Sequence, residues 1–298
     1  NGIAKLNTTD GSADLTFNPN ANGSVYTLAL DGSGNIYAGG DFLSIGGSAR
    51  KYIAKLNTTD GLADFFFNAN SDSYVRELTF NSVGELYVGG VFLTIGGQTR
   101  NYIAKLDTTD GTAKLTFNTG ANNTVRAISM DNINLYAGGL FTDIGASRTY
   151  LAKLYASSGN VEQAFNAGLN GYVLALELDD SGNLYAGGSF SALNYLAKIN
   201  TIDGSHDLVF NPNPNNYVES LYLSKYYPRL YVGGQFSRMG NFSYQGFAII
   251  HLTEGLPTVT ETPTQIITST FTPIETAAAT VEPAVWPACG KDVVLGYG

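Results

Sequence analysis

The sequence predicts an all-β fold of radially stacked sheets, a β-propeller of about five four-stranded blades. Three observations predict it. The pattern Tyr, small residue, Gly-Gly, any residue, Phe recurs five times, at Tyr37, Tyr87, Tyr136, Tyr185 and Tyr231. The glycine pairs begin at Gly39, Gly89, Gly138, Gly187 and Gly233, so the steps are 50, 49, 49 and 46 residues, the period of a stacked β-repeat. Charged residues make up only 14%, against 35 glycines and 19 tyrosines, a composition that disfavours helices and favours strands.

Residues 24–67 show how one unit is expected to fold. Val25 to Leu30 alternates with period two and runs into a turn signal at Asp31 to Asn35. Asn35 to Gly40 is the second strand, whose two glycines permit close approach of a neighbour. A loop from Asp41 to Arg50 leads to a third strand, Tyr52 to Leu56. Thr58 to Gly61 turns the chain, and Leu62 to Phe67 is the fourth strand. Such a sheet is apolar on both faces, so copies must sandwich one another, with Tyr and Phe filling the interfaces.

Strands resembling Ala-Lys-Leu occur six times, at Ala4, Ala54, Ala104, Ala152, Ala197 and Ala248, one more than the glycine-pair strands. A five-bladed ring closes if residues 12–17 supply the outer strand of the last blade; a longer parent chain with more blades is the alternative. The chain opens at Asn1 inside a repeat and is expected to be a piece of a longer precursor.

Tyr-[Ala/Val]-Gly-Gly-x-Phe, followed by Ile-Gly-Gly, Ala-Lys-Leu, Asp-Gly and Phe-Asn-Pro-Asn, resembles the delta-60-repeat propellers of bacterial surface and secreted proteins, and more distantly kelch repeats. The resemblance covers residues 1 to about 255. It implies a propeller and an extracellular or cell-surface setting, and it carries over no catalytic residue. The fourth copy departs from the pattern, since Phe190 to Tyr195 lacks Ile-Gly-Gly and the arginine.

Two domains are expected: a propeller over 1–255 and an extended Thr/Pro-rich tail over 256–298. Residues 257–287 hold five of the nine prolines among nine threonines, a composition for a stalk or linker with no core of its own. Ile266, Ile267, Phe271, Ile274 and Trp286 are the expected anchors if that tail contacts a neighbouring subunit.

The net charge of −9 argues against binding a nucleic-acid backbone, and no run of 18 apolar residues is present to span a membrane. No cofactor or metal is expected. Asp31-Gly-Ser-Gly-Asn and Asp179-Asp-Ser-Gly-Asn lack the distal ligands of a calcium loop and are read as hairpin turns. His206 and His251 have no visible catalytic partner, and are expected in a surface loop and at a strand end. The lysines Lys5, Lys55, Lys105, Lys153 and Lys198 are expected to lay their stems between blades, with the ammonium beside the aspartate of Thr-Thr-Asp-Gly.

A single binding site should lie where the repeats differ. The residue after the first valine of the innermost strand is Tyr26, Arg76, Arg126, Leu174 and Glu219 in the five copies. Tyr26, Arg76, Glu77, Arg126 and Glu219 are therefore expected to converge at the mouth of the central channel. The expected role is a non-enzymatic structural or adhesive subunit of a surface assembly, self-associating through its tail. The alternative is a soluble module that binds a glycan or protein at the channel mouth.

Overall fold

The computed structural model describes residues 2–145, 148–252 and 258–260, and every described segment of regular structure is a β-strand. Five units follow one another, each an antiparallel sheet of inner, middle and outer strands. Blade 1 is Val25–Leu30, Asn35–Gly40 and Ile53–Asn57; blade 2 is Val75–Phe80, Leu86–Gly90 and Ile103–Leu106. Blade 3 is Val125–Met130, Asn134–Gly139 and Leu151–Tyr155; blade 4 is Val173–Leu178, Asn183–Gly188 and Leu196–Asn200. Blade 5 is Val218–Leu223, Arg229–Gly234 and Phe247–His251, with a fourth strand at Thr258–Thr260.

The sheets are held together by a knob-and-socket rule. A Cβ added to Gly39 would lie 2.5 Å from Val75 Cγ1, and one on Gly138 would lie 2.4 Å from Val173 Cγ1. In blades 1 to 4 the first glycine of the pair is thus the socket for the first valine of the next blade. The motif tyrosine lies across the same interface. Tyr37 meets Phe67 edge to face at 5.2 Å, and its hydroxyl reaches the carbonyl of Thr108 in the next blade at 3.1 Å. Tyr87 repeats this, donating to Ala156 O at 2.8 Å. Tyr, the first Gly and Phe recur because each is needed at an interface, whereas the second Gly makes room inside its own blade, where a Cβ on Gly40 would lie 2.1 Å from Ser24 O.

The fourth strand is shorter than Leu62 to Phe67. Only Ala63 bridges to Leu56, and the same single bridge joins Leu6 to Ala13, Leu106 to Ala113, Leu154 to Val161 and Ile199 to His206. The cause is local: Asp64 Oδ1 accepts from the amides of Phe66 and Phe67 and turns the chain. Arg50, buried, then clamps the turn through the carbonyls of Asp64 and Phe65. Phe67 swings into the interface, while Phe65 and Phe66 are left outside.

The lysine expectation needs a similar correction. Lys5, Lys55 and Lys198 pair with Asp14, Asp64 and Asp207, beyond the Thr-Thr-Asp-Gly turn, at 3.0, 4.0 and 3.0 Å. The turn aspartate serves its own loop, Asp60 Oδ1 accepting from Leu62 N, while Asp64 caps the next turn through Oδ1 and meets Lys55 through Oδ2. Lys105 takes Glu85 instead, and Lys153 donates to Thr201 O. His206 also has a partner the sequence did not reveal: it lies at the bridge to Ile199, and its Nε2 is 2.6 Å from Ala167 O. His251 ends the outer strand of blade 5. Asp31 and Asp179 cap their own hairpins, accepting from Ser33 and Asn35 and from Ser181 and Asn183.

Residues 12–17 do not supply the outer strand of the last blade. Ala13 bridges to Leu6, in the half-blade that opens the chain, and Thr258–Thr260 pairs with Phe247–His251 instead. Consecutive inner strands pack side by side from blade 1 to blade 5, but the inner strands of blades 5 and 1 share no such contact. The ring of described residues is open.

Candidate site at the channel mouth

Every inner strand carries the same irregularity. Val25 pairs with Gly40 and Thr27 with Gly39, so Tyr26 is an extra residue without a partner. The register slips in the same way at Arg76, Arg126, Leu174 and Glu219. A one-residue bulge bends the strand and re-aims the inserted side chain. Here it frees that side chain from the interface beside it, so the position tolerates Tyr, Arg, Leu or Glu.

The structure brings all five expected residues together. Tyr26, Arg76, Glu77, Arg126 and Glu219 line one channel of about 710 Å³ between the inner strands, with Leu174 among its walls. The loop between middle and outer strands holds the mouth at two points: Tyr26 Oη donates to Asp41 at 2.7 Å, and Gln235 Nε2 donates to Glu219 at 2.7 Å. Arg76 stacks over the Tyr26 ring, its guanidinium carbon 4.3 Å from the centroid. Arg76 Nε is buried without a hydrogen-bond partner. Neither Arg76 nor Arg126 forms an ion pair with a carboxylate among the described residues. Burial, then the neighbouring Arg76 charge, lowers the proton affinity of Arg126, with Glu219 acting in the opposite sense.

Glu77 sits one position deeper. Thr27 Oγ1 donates to it at 3.2 Å, and the Leu78 amide at 3.3 Å. Burial pushes its carboxyl up to about 8, against those two bonds and with a small addition from Glu177. Glu177, on the same channel wall, is pushed up to about 7 by burial. In the unfolded chain such carboxyls titrate near 4.5, so the native state holds protons that the unfolded state has released. Stability should therefore fall as pH rises through the window from about 4.5 to about 8, then level off. Urea unfolding at the two ends of that window is expected to show the fall, and Glu77→Gln to reduce it; an unchanged slope would place the titration elsewhere.

A feature the sequence reading missed frames the mouth from outside. Tyr52, Tyr102, Tyr150 and Tyr195, one residue before their outer strands, have φ of 64° to 68°. In blade 5 Gly246 takes that position with φ of 78°, the one sequence signal for a left-handed residue there. Tyr52, Tyr150 and Tyr195 each meet a tyrosine of the next blade, Tyr74, Tyr172 and Tyr217, at 5.6 to 5.7 Å. Those ring contacts offset the backbone cost.

Stacked sheets around a channel define the protein as a β-propeller. Residues 32–64 and 84–117 match the family described as a domain of unknown function (DUF5122), beta-propeller. Among solved structures, a chain of a nidogen/laminin complex is similar with a TM-score of 0.55 and 15% identity, over 83% of this chain and 86% of that one. At that identity the likeness is one of fold. The extracellular domain of a one component system from B. thetaiotaomicron gives a TM-score of 0.49 at 15% identity, over 82% of this chain and 28% of that one. No curated protein matches the sequence.

Proposed function

We propose that this propeller is a non-enzymatic binding module whose channel mouth takes an anionic group, the carboxylate of an acidic glycan or of an acidic protein side chain. One observation carries the reading: two arginines stand in one channel with no carboxylate paired to them among the described residues. In a chain of net charge −9, unpaired cations held together in a cavity are best accounted for by a ligand that supplies the anion. Tyr26 adds an aromatic face already used for stacking. The setting that goes with this reading is extracellular or at the cell surface, and it rests on the resemblance of the repeats to surface and secreted propellers.

The test is binding to arrays of acidic and neutral glycans and of acidic peptides. Arg76→Ala and Arg126→Ala are each expected to weaken binding roughly ten- to a hundredfold, the loss of one charge-assisted contact, with little change in thermal stability. Binding that survives the double variant would remove the channel from the account.

A structural subunit of a surface assembly is the second reading, favoured by aromatic side chains left outside on blade 5, Tyr222 and Phe247 among them. Its expected tail anchors, Ile266, Ile267, Phe271, Ile274 and Trp286, lie outside the described residues. The native mass of the protein separates the two readings.

A further inference from the structure

In blades 1 to 3 an arginine stands two residues before the left-handed tyrosine: Arg50 before Tyr52, Arg100 before Tyr102 and Arg148 before Tyr150. Each lays its guanidinium on the turn that follows the outer strand. Arg50 donates to the carbonyls of Asp64 and Phe65 at 2.7 and 3.3 Å, and Arg100 to that of Lys114 at 3.3 Å. Arg148 donates to those of Gln163 and Phe165 at 2.8 and 3.1 Å. One planar fork of donors thus serves acceptors that the turn aims at a common point.

Blade 4 keeps the turn and lacks the arginine. Four residues separate Phe190 from Tyr195, where nine separate Phe42 from Tyr52. Leu193 stands two residues before Tyr195 and packs against the cluster of blades 3 and 4. The turn itself is unchanged: Asp207 Oδ1 accepts from the amides of Val209 and Phe210, as Asp64 Oδ1 does from those of Phe66 and Phe67. A cavity of about 180 Å³ opens over it, with Ala192, Asn194, Asp207, Leu208, Phe210 and Asn211 in its walls. The carbonyls of Asp207 and Leu208, counterparts of those of Asp64 and Phe65, accept no hydrogen bond from a described residue. Phe210 is 7% exposed, whereas Phe67, Phe117 and Phe165 are sealed, so it is the arginine that closes this place in the other blades.

We propose that this cavity on blade 4 binds a guanidinium group, supplied by an arginine side chain of a protein partner. The acceptors are the carbonyls of Asp207 and Leu208, with Asn211 Oδ1 beside them. Asn211 takes from Asn194, at 3.3 Å, the bond that Asn118 takes from Arg100 at 3.4 Å. An ammonium is a compact point charge without the planar fork, so lysine matches this set less well. The net charge of −9 favours a cationic partner. A chain suits the site better than free arginine does. Leu208, on the cavity wall, and Val209, next to it, are 77% and 62% exposed, and residues flanking an arginine in a chain would cover them.

The probe is the capped peptide acetyl-Leu-Arg-Leu-amide, titrated into the whole protein and followed by amide chemical shifts. The expected result is saturable binding, with the shifts confined to residues 192–198 and 206–211. The citrulline counterpart, which keeps the shape and loses the charge, should bind roughly tenfold more weakly or worse, and so should the lysine counterpart. Ala192→Trp, which plugs the cavity from an exposed position on its wall, should weaken the arginine peptide at least as much. Absence of binding, shifts elsewhere, equal binding of the citrulline peptide, or indifference to Ala192→Trp would overturn the proposal. Free arginine binding as tightly as the peptide would overturn the protein partner and make the occupant a small molecule.

Discussion

Gly139→Ala is expected to destabilise the protein by about 3 kcal/mol or more, at the upper end of what overpacking costs. A Cβ at Gly139 would lie 2.1 Å from the carbonyl oxygen of Thr124, a backbone atom that cannot rotate away. Gly188 and Tyr172 O repeat the geometry at 2.0 Å. Neither glycine has a positive φ, so the cost is one of space and not of backbone conformation. Relief would require the inner strand to move off the middle strand at the bulge, which is also where Arg126 is held. Urea unfolding followed by circular dichroism measures the loss. A loss below 1 kcal/mol would mean that the strands are not held as closely as described.

Phe92→Ala should cost about 3–5 kcal/mol, the range for emptying a buried aromatic site. Phe92 is fully buried, in the cluster that joins blades 1 and 2, and the backbone around it is tied on both sides: Tyr102 N donates to Phe92 O, and Val91 N to Tyr74 O. The site therefore has little freedom to collapse. Phe65→Ala, at a side chain 84% exposed, is the control and should change stability by less than about 0.5 kcal/mol. Equal effects at the two positions would contradict the assigned core.

The sequence made the stacking legible because each motif residue answers a contact that no other residue type makes equally well. A valine fits a glycine socket, a buried tyrosine spans the interface and in blades 1 and 2 reaches a carbonyl beyond it, and a phenylalanine fills the wedge beside it. The channel residues were found by the reverse argument, from variation at one position within a constant frame. The bulge that puts them there left no trace, because the inserted position accepts Tyr, Arg, Leu and Glu alike. The left-handed tyrosines were hidden for a related reason: an amide hydrogen bond back to the motif phenylalanine's carbonyl, with ring contacts at three of the four, holds a conformation that local preference opposes. The shortened fourth strand needed Arg50 and Asp64, 14 residues apart, to be seen acting together on one stretch of backbone. The lysine partners were misjudged by one turn: Asp10 and Asp14 look alike in sequence and each caps its own loop through Oδ1, but it is Asp14 whose Oδ2 meets Lys5.

The extra residue in every inner strand separates two kinds of change. Substitutions at Val75 or Gly39 are felt by a neighbouring sheet, whereas residue 76 answers to the cavity and to the rings at its rim. The five inserted positions thus form a crown that can be rewritten one member at a time, each substitution altering shape or charge at the mouth while the scaffold beneath keeps its fit. A library varying only residues 26, 76, 126, 174 and 219 would sample recognition in this propeller frame much as loop libraries do on an antibody, without a loop being lengthened.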